Sequence, residues 1–167
     1  MSIMVYHGSY MPVEEPDTQH STGEYLDFGT GFYVSQDFDT AAEYAIVKAL
    51  NHGGIATVTS YAFYDEDLTY PFYSFGSEPT DEWFNVVASF RQSNTTPAGY
   101  EAFEVLTGLV SDARAIEIFD DFFNGILTQE ETISKLFKFD ILQPQICFKT
   151  DRAIKETLIF AEEITEW

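Results

Sequence analysis

Cations are scarce in this chain: 8 Lys and Arg stand against 28 Asp and Glu in 167 residues, a formal net charge of −20. A field of that sign repels phosphate backbones, so binding to a long duplex is not expected, although a local pocket can still hold one nucleotide. The complementary partner is a cationic protein, and the same acidity also favours solubility. Cysteine is scarcer still. Cys147 stands alone, which excludes an intrachain disulfide framework and fits a reducing, cytoplasmic compartment. No apolar run approaches the roughly 18 residues of a membrane span. The first nine residues lack the basic-then-apolar order of a signal peptide. The three histidines, His7, His20 and His52, show no metal-ligand spacing, and no Cys/His pair supports zinc. A Gly-x-Ser-x-Gly nucleophile elbow is also missing.

Aromatics, by contrast, are plentiful, with 16 Phe and 10 Tyr lining a core or a cleft. A chain of this length is expected to form one domain, residues 1–167, burying roughly 70% of its unfolded surface. Ile3 to Tyr6 reads as a first strand running into His7-Gly8-Ser9, and residues 10–29 as a long polar loop. A second strand follows at Phe32 to Ser35. A helix is predicted over Thr40–Leu50, started by the box Thr40-Ala41-Ala42-Glu43 and stopped by His52-Gly53-Gly54. Ile55 to Tyr64 alternates as a strand should. Trp83, Val86, Val87 and Phe90 fall at i, i+3, i+4 and i+7, an amphipathic helix that ends near Arg91. Phe103–Val110 and Gln145–Lys149 are strand candidates, and Leu158–Ile164 a last one. Helices are expected over Ala113–Phe123, after the cap Thr128–Glu131, and from a cap at Asp151. The order has no strict βαβ rhythm, so the fold class is α+β. Cys147, between Ile146 and Phe148, reads as core. Glu14-Glu15, Asp65-Glu66-Asp67 and Glu130-Glu131 read as solvated loops and helix starts.

The stretch Asp27-Phe28-Gly29-Thr30-Gly31-Phe32-Tyr33 is not a phosphate loop. A Walker loop needs Gly-Lys-Ser/Thr, and a dinucleotide fingerprint needs a third glycine where Val34 stands. The glycines instead precede a strand, in which Phe32 and Val34 face one way and Tyr33 the other. His7 followed by Gly8 makes a second polar clamp at the end of the first strand.

Together, Tyr6-His7-Gly8-Ser9, Asp27-Phe28-Gly29-x-Gly31-Phe32-Tyr33, Ser35 and the helix segment Ala41-Ala42-Glu43-Tyr44-Ala45 resemble the His-Tyr branch of the ADP-ribosyltransferase superfamily. They are most similar to a bacterial family, DUF3990. The tryptophan helix ending in Arg91, Gly108-x-Val110-x-Asp112 and Gln145-Ile146-Cys147-Phe148-Lys149-Thr150 extend the likeness over nearly the whole chain. The resemblance implies a split two-sheet fold with NAD⁺ as substrate in the cleft and no metal. It assigns catalysis to His7, Tyr33 and Gln145, and dinucleotide binding to His7, Gly8, Ser9, Gly31, Phe32, Tyr33, Tyr44, Arg91 and Asp112. His7 would bond a ribose hydroxyl, Gly8 the nicotinamide carboxamide, and Tyr33 would stack on the ring. The loop Tyr10–Phe28 would cover the dinucleotide.

One departure stands out: many members carry a Glu on a late strand where Gln143-Pro144-Gln145 offers an amide. Asp112 would then be the alternative acid, or else a helix cap. Arg91 and Arg114 would meet a pyrophosphate or an acceptor, or form salt bridges. The implied activity is ADP-ribosyl transfer to a macromolecule, protein rather than nucleic acid. Such families often supply the toxin of a toxin–antitoxin pair, which makes an antitoxin a further partner. NAD glycohydrolysis and a silent nucleotide- or protein-binding module of the same fold are the alternatives.

Overall fold

A computed structural model describes residues 1–20, 26–64 and 70–167. The described residues form seven strands and five α-helices in two sheets, an α+β fold. Strand β1 (Ile3–Ser9) pairs antiparallel with β3 (Thr57–Phe63), which pairs antiparallel with β7 (Leu158–Ile164). The second sheet runs β2 (Phe32–Val34), β6 (Leu142–Phe148), β5 (Val105–Ser111), β4 (Phe72–Ser74). Only its β4–β5 pair is parallel. The sheets touch through one backbone pair. Tyr6 N–H donates to the Ser35 carbonyl at 2.8 Å, and Ser35 N–H returns to Tyr6 at 2.9 Å.

Period-two alternation decides what each face of β2 meets. Phe32 and Val34 enter the core between the sheets with Val5, Tyr61, Phe63, Ile146 and Phe148. Tyr33 enters the opposite core with Leu106, Cys147 and the helical residues Trp83, Phe84 and Phe90. Helix α2 (Asp81–Ser93) buries that predicted stripe, and its Trp83 indole N–H donates to the Leu109 carbonyl at 2.8 Å. Helices α3 (Ala115–Phe123) and α4 (Gln129–Lys138) close this core, α4 with the predicted Thr128–Glu131 capping box.

Several boundaries move, for local reasons. Helix α1 (Phe38–His52) starts a turn earlier than the Thr40 box suggests, because the Asp37 carboxylate accepts the Thr40 N–H at 3.0 Å. Helix α5 (Asp151–Thr157) is capped by Thr150, not Asp151. Strand β6 begins at Leu142, since the β5 ladder extends past Pro144. Strand β4 is three residues long and leaves too short a pattern to read. Among its described residues, the polar stretch 10–29 holds one 3-10 turn, Thr18–His20. Part of that stretch, and the run Asp65-Glu66-Asp67, lie outside the described residues. No helix among the described residues is long and apolar enough to cross a membrane.

Helix α1 lies against β1 at its glycine. A Cβ on Gly8 would sit 1.9 Å from the Ala41 carbonyl oxygen and 2.8 Å from the Ala45 nitrogen. Buried Ala41, Ala42 and Ala45 supply the matching small surface on the helix. The glycine after the histidine therefore serves helix packing. Gly8→Ala is expected to destabilise the protein by about 3 kcal/mol or more, because backbone cannot yield as a side chain can; the shift in urea midpoint at unchanged slope measures it.

Candidate functional site

The ends of β1 and β2 meet α1, β6 and the segment before β2 around a cavity of about 120 Å³. At about 30 Å³ of liquid per water, that is room for about four waters or one small substituted ring. Of the residues expected from sequence, His7, Gly8, Tyr33, Tyr44 and Gln145 line it.

His7 is held by backbone. Its Nδ1 lies 2.7 Å from the Tyr33 carbonyl oxygen, which can only accept, so Nδ1 carries the proton and Nε2 the lone pair. The ring stacks on Phe32 at 4.4 Å. Burial, followed by the nearby Lys48 charge, lowers its pKa well below the usual value and keeps the imidazole neutral. Tyr33 is held just as firmly. Its hydroxyl donates to the Gly29 carbonyl at 2.6 Å and accepts the Phe28 N–H at 3.1 Å. Gly29 makes this turn at φ +71°, so the phenol hydroxyl closes the Phe28–Gly29 loop while the ring borders the cavity. Burial raises its pKa well above the ordinary phenol range.

Gly8 presents backbone to the cavity. Both hydrogen-bonding groups of Tyr6 go to Ser35, so by strand alternation those of Gly8 also point away from β3. The Gly8 carbonyl accepts from Lys48 Nζ at 3.0 Å, and its N–H has no partner among the described residues. Lys48 itself lines the cavity, and burial lowers its pKa to about 8. No described carboxylate lies within ion-pair distance of it. On β6, Gln145 is 7% exposed. Its amide lies beside the Tyr44 phenol, yet Nε2 finds no hydrogen-bond partner. The Tyr44 hydroxyl donates to the Ser111 carbonyl at 3.2 Å.

The other expected residues take different places. Arg91 is buried in an ion pair, with Nε 2.5 Å from Asp27 Oδ1 and Nη2 donating to Ser111 Oγ at 2.7 Å. Its guanidinium lies 4.5 Å from the Phe119 ring centroid. Asp27 accepts both the N–H and the hydroxyl of Ser111 as well. Asp112 pairs with Arg114 at 2.6 Å in a wider, separate opening of about 630 Å³. The Asp112 carboxylate also accepts the Arg114 N–H at 2.8 Å, and the N-cap position of α3 is Arg114 itself. Ser9 is buried opposite Thr57. Phe32 packs under His7. At Gly31, a Cβ would meet Cys147 Sγ at 2.6 Å, so β2 needs a glycine there to approach β6.

Sequence reasoning missed Lys48, Asp27 and Ser111. A signal existed for Lys48, since Ala41, Tyr44 and Lys48 fall at i, i+3 and i+7, on one helical face. No group of His, Cys, Asp or Glu among the described residues could hold a metal ion.

A sequence model of the family described as "Protein of unknown function (DUF3990)" matches residues 3–160. No curated protein and no solved structure matches the chain.

Removing one partner of a buried pair strands the other's charge. Asp27→Ala should therefore cost about 3–5 kcal/mol, and Asp27→Ala/Arg91→Met distinctly less, in denaturant titrations of the full chain. The neutral His7 makes stability fall in acid. Its folded pKa lies below the unfolded value of about 6.5, so below that pH the unfolded chain binds the extra proton. The stability difference between wild type and His7→Gln should fall by up to about 1.4 kcal/mol per unit as pH drops from 6.5 to 5.

Proposed function

Because the chain belongs to the DUF3990 family, whose model covers residues 3–160, we propose its activity from the cavity and from the resemblance its motifs carry: it binds NAD⁺ and transfers ADP-ribose to a macromolecular acceptor. The observation that carries this reading is the convergence of His7, Gly8, Tyr33, Tyr44 and Gln145 on one small cavity. They come from four elements spread along the chain. In this reading the nicotinamide ring enters between Tyr33 and Tyr44. The Gly8 N–H meets the carboxamide, and His7 Nε2 accepts from a ribose hydroxyl. The C1′–N1 bond breaks with its electron pair going to the ring nitrogen. C1′ then bonds an acceptor atom, which gives up a proton. Holding the carboxamide and the ribose hydroxyl in place lowers the barrier through orientation.

The acceptor is a protein in this reading, since the −20 charge of the chain repels nucleic acid and attracts cationic surfaces. The same charge suits a cationic antitoxin if the chain is the toxin of a pair. A second reading, a silent binding module, draws on one observation. The carboxylate in the cavity wall, Asp27, is neutralised by Arg91, and Gln145 supplies no charge to offset an oxocarbenium-like sugar.

The test is nicotinamide release from NAD⁺, alone and with cell lysate, with His7→Gln and Tyr44→Leu beside wild type and circular dichroism as the folding check. The expected result is release that requires lysate and drops at least about tenfold in both variants. Release without lysate makes the acceptor water, a glycohydrolase. NAD⁺ binding without release supports the silent module. Undiminished release by folded His7→Gln overturns the assignment of the site.

A further inference from the structure

Among the described residues, the cavity offers a backbone donor and a positive charge, but no spare negative one. The Gly8 N–H has no partner among the described residues. Lys48 lines the same wall with no described carboxylate in ion-pair distance, although acids outnumber cations 28 to 8 in this chain. The one described carboxylate bordering the cavity, Asp27, is taken up by Arg91 and Ser111. The Lys48 ammonium is part-buried and bonds the Gly8 carbonyl, so an entering anion gains a charge-assisted partner there.

A ring carboxamide uses this set less fully. Its oxygen suits the Gly8 N–H, and the Gly8 carbonyl, which accepts from Lys48 at 3.0 Å, keeps a second lone pair for its NH₂, but a neutral amide brings no charge to pair with the ammonium. A ring carboxylate has two acceptor oxygens, one for Gly8 N–H and one for Lys48, in a charge-assisted pair. The aromatic walls Tyr33 and Tyr44 suit a flat ring between them.

We propose that Lys48 and the Gly8 N–H make this cavity selective for a pyridine carboxylate over the carboxamide, so that the preferred substrate is the deamidated dinucleotide, or free nicotinate as ligand. This rests on the reading that a dinucleotide's pyridine ring enters here. In the reaction the C1′–N1 bond breaks with its pair on the ring nitrogen, releasing nicotinate. C1′ bonds the oxygen of water or an acceptor atom, which loses a proton to solvent. A carboxylate feeds electron density to the ring and makes it a poorer leaving group than the carboxamide. The Lys48 ammonium withdraws that density and offsets the handicap.

The experiment titrates the full-length protein with nicotinate, nicotinamide, deamido-NAD⁺ and NAD⁺ by calorimetry, for wild type, Lys48→Met and Lys48→Arg. Inorganic phosphate is the competitor, and turnover of both dinucleotides is followed. Wild type should favour each carboxylate form at least about tenfold. Lys48→Met should lose or invert that preference, because it removes the charge that pairs with the carboxylate, and Lys48→Arg should retain part of it. Carboxylate binding confined to free nicotinate would make the ring itself the ligand and the dinucleotide not. Wild-type preference for the carboxamide, an unchanged preference in folded Lys48→Met, or equally effective displacement by phosphate would each overturn the proposal. NAD⁺ binding with carboxamide preference leaves the transferase reading standing, whereas no binding of either dinucleotide or of free nicotinate removes both.

Discussion

The buried Asp27 carboxylate ties together the parts that make the cavity. It sits on the segment before β2, pairs with Arg91 from α2 and accepts the backbone and side chain of Ser111 at the end of β5. The three are distant in sequence, and the pair holds them at bonding distance in a nearly dry interior where the interaction is weakly screened. Lys149 adds to the hold by donating to the Phe28 carbonyl and, at 2.6 Å, to the Thr30 carbonyl. With that segment fixed, the Phe28–Gly29 turn can receive the Tyr33 hydroxyl. The Tyr33 carbonyl is in turn the acceptor that sets the His7 tautomer. A chain of polar contacts thus runs from a charge pair outside the expected set to the two residues on which the expected chemistry rests. The network is not complete, since the buried Arg91 Nη1 has no hydrogen-bond partner among the described residues, but it uses both oxygens of Asp27.

Backbone proximity is the second organising element. Gly8 lets α1 come down onto β1, and Gly31 lets β2 close onto β6. The first approach brings Tyr44 and Lys48 to the cavity; the second brings Tyr33 beside Cys147 and Gln145. Both glycines are thereby explained by close contact between elements, and Gly29 by its positive φ. The cavity-facing backbone of buried Gly8 is a by-product of the same geometry. It borders the cavity because β1 hands over from β3 pairing on one side to a single bridge with Ser35 on the other.

The cavity's electrostatics are unusual for so acidic a protein. Its ionised wall groups are a neutralised carboxylate and an ammonium whose pKa is lowered by desolvation. Acid residues remain outside, where water solvates them. The interior therefore differs in sign from the surface, and that contrast, more than the net charge, decides which ligand the cavity can hold.

By itself, the sequence determined the α+β class, the aromatic cores, the Trp83 stripe, the Thr128 capping box and the alternation that sends Phe32 and Tyr33 to opposite faces. These are local or periodic features, set by residues within a few positions of one another. His7, Gly8, Tyr33 and Gln145 were legible through motif resemblance, and they come together in space. The starts of α1 and α5 were not, because Asp37 and Thr150 compete with near neighbours for the same N–H groups, and only the backbone geometry selects between them. Nor could sequence show that Arg91 spends its charge on Asp27, that Asp112 spends its own on Arg114, or that no described carboxylate lies within ion-pair distance of Lys48. An ionised side chain's role depends on which opposite charge lies within about 4 Å and how much water is left between them. Both are properties of the tertiary structure.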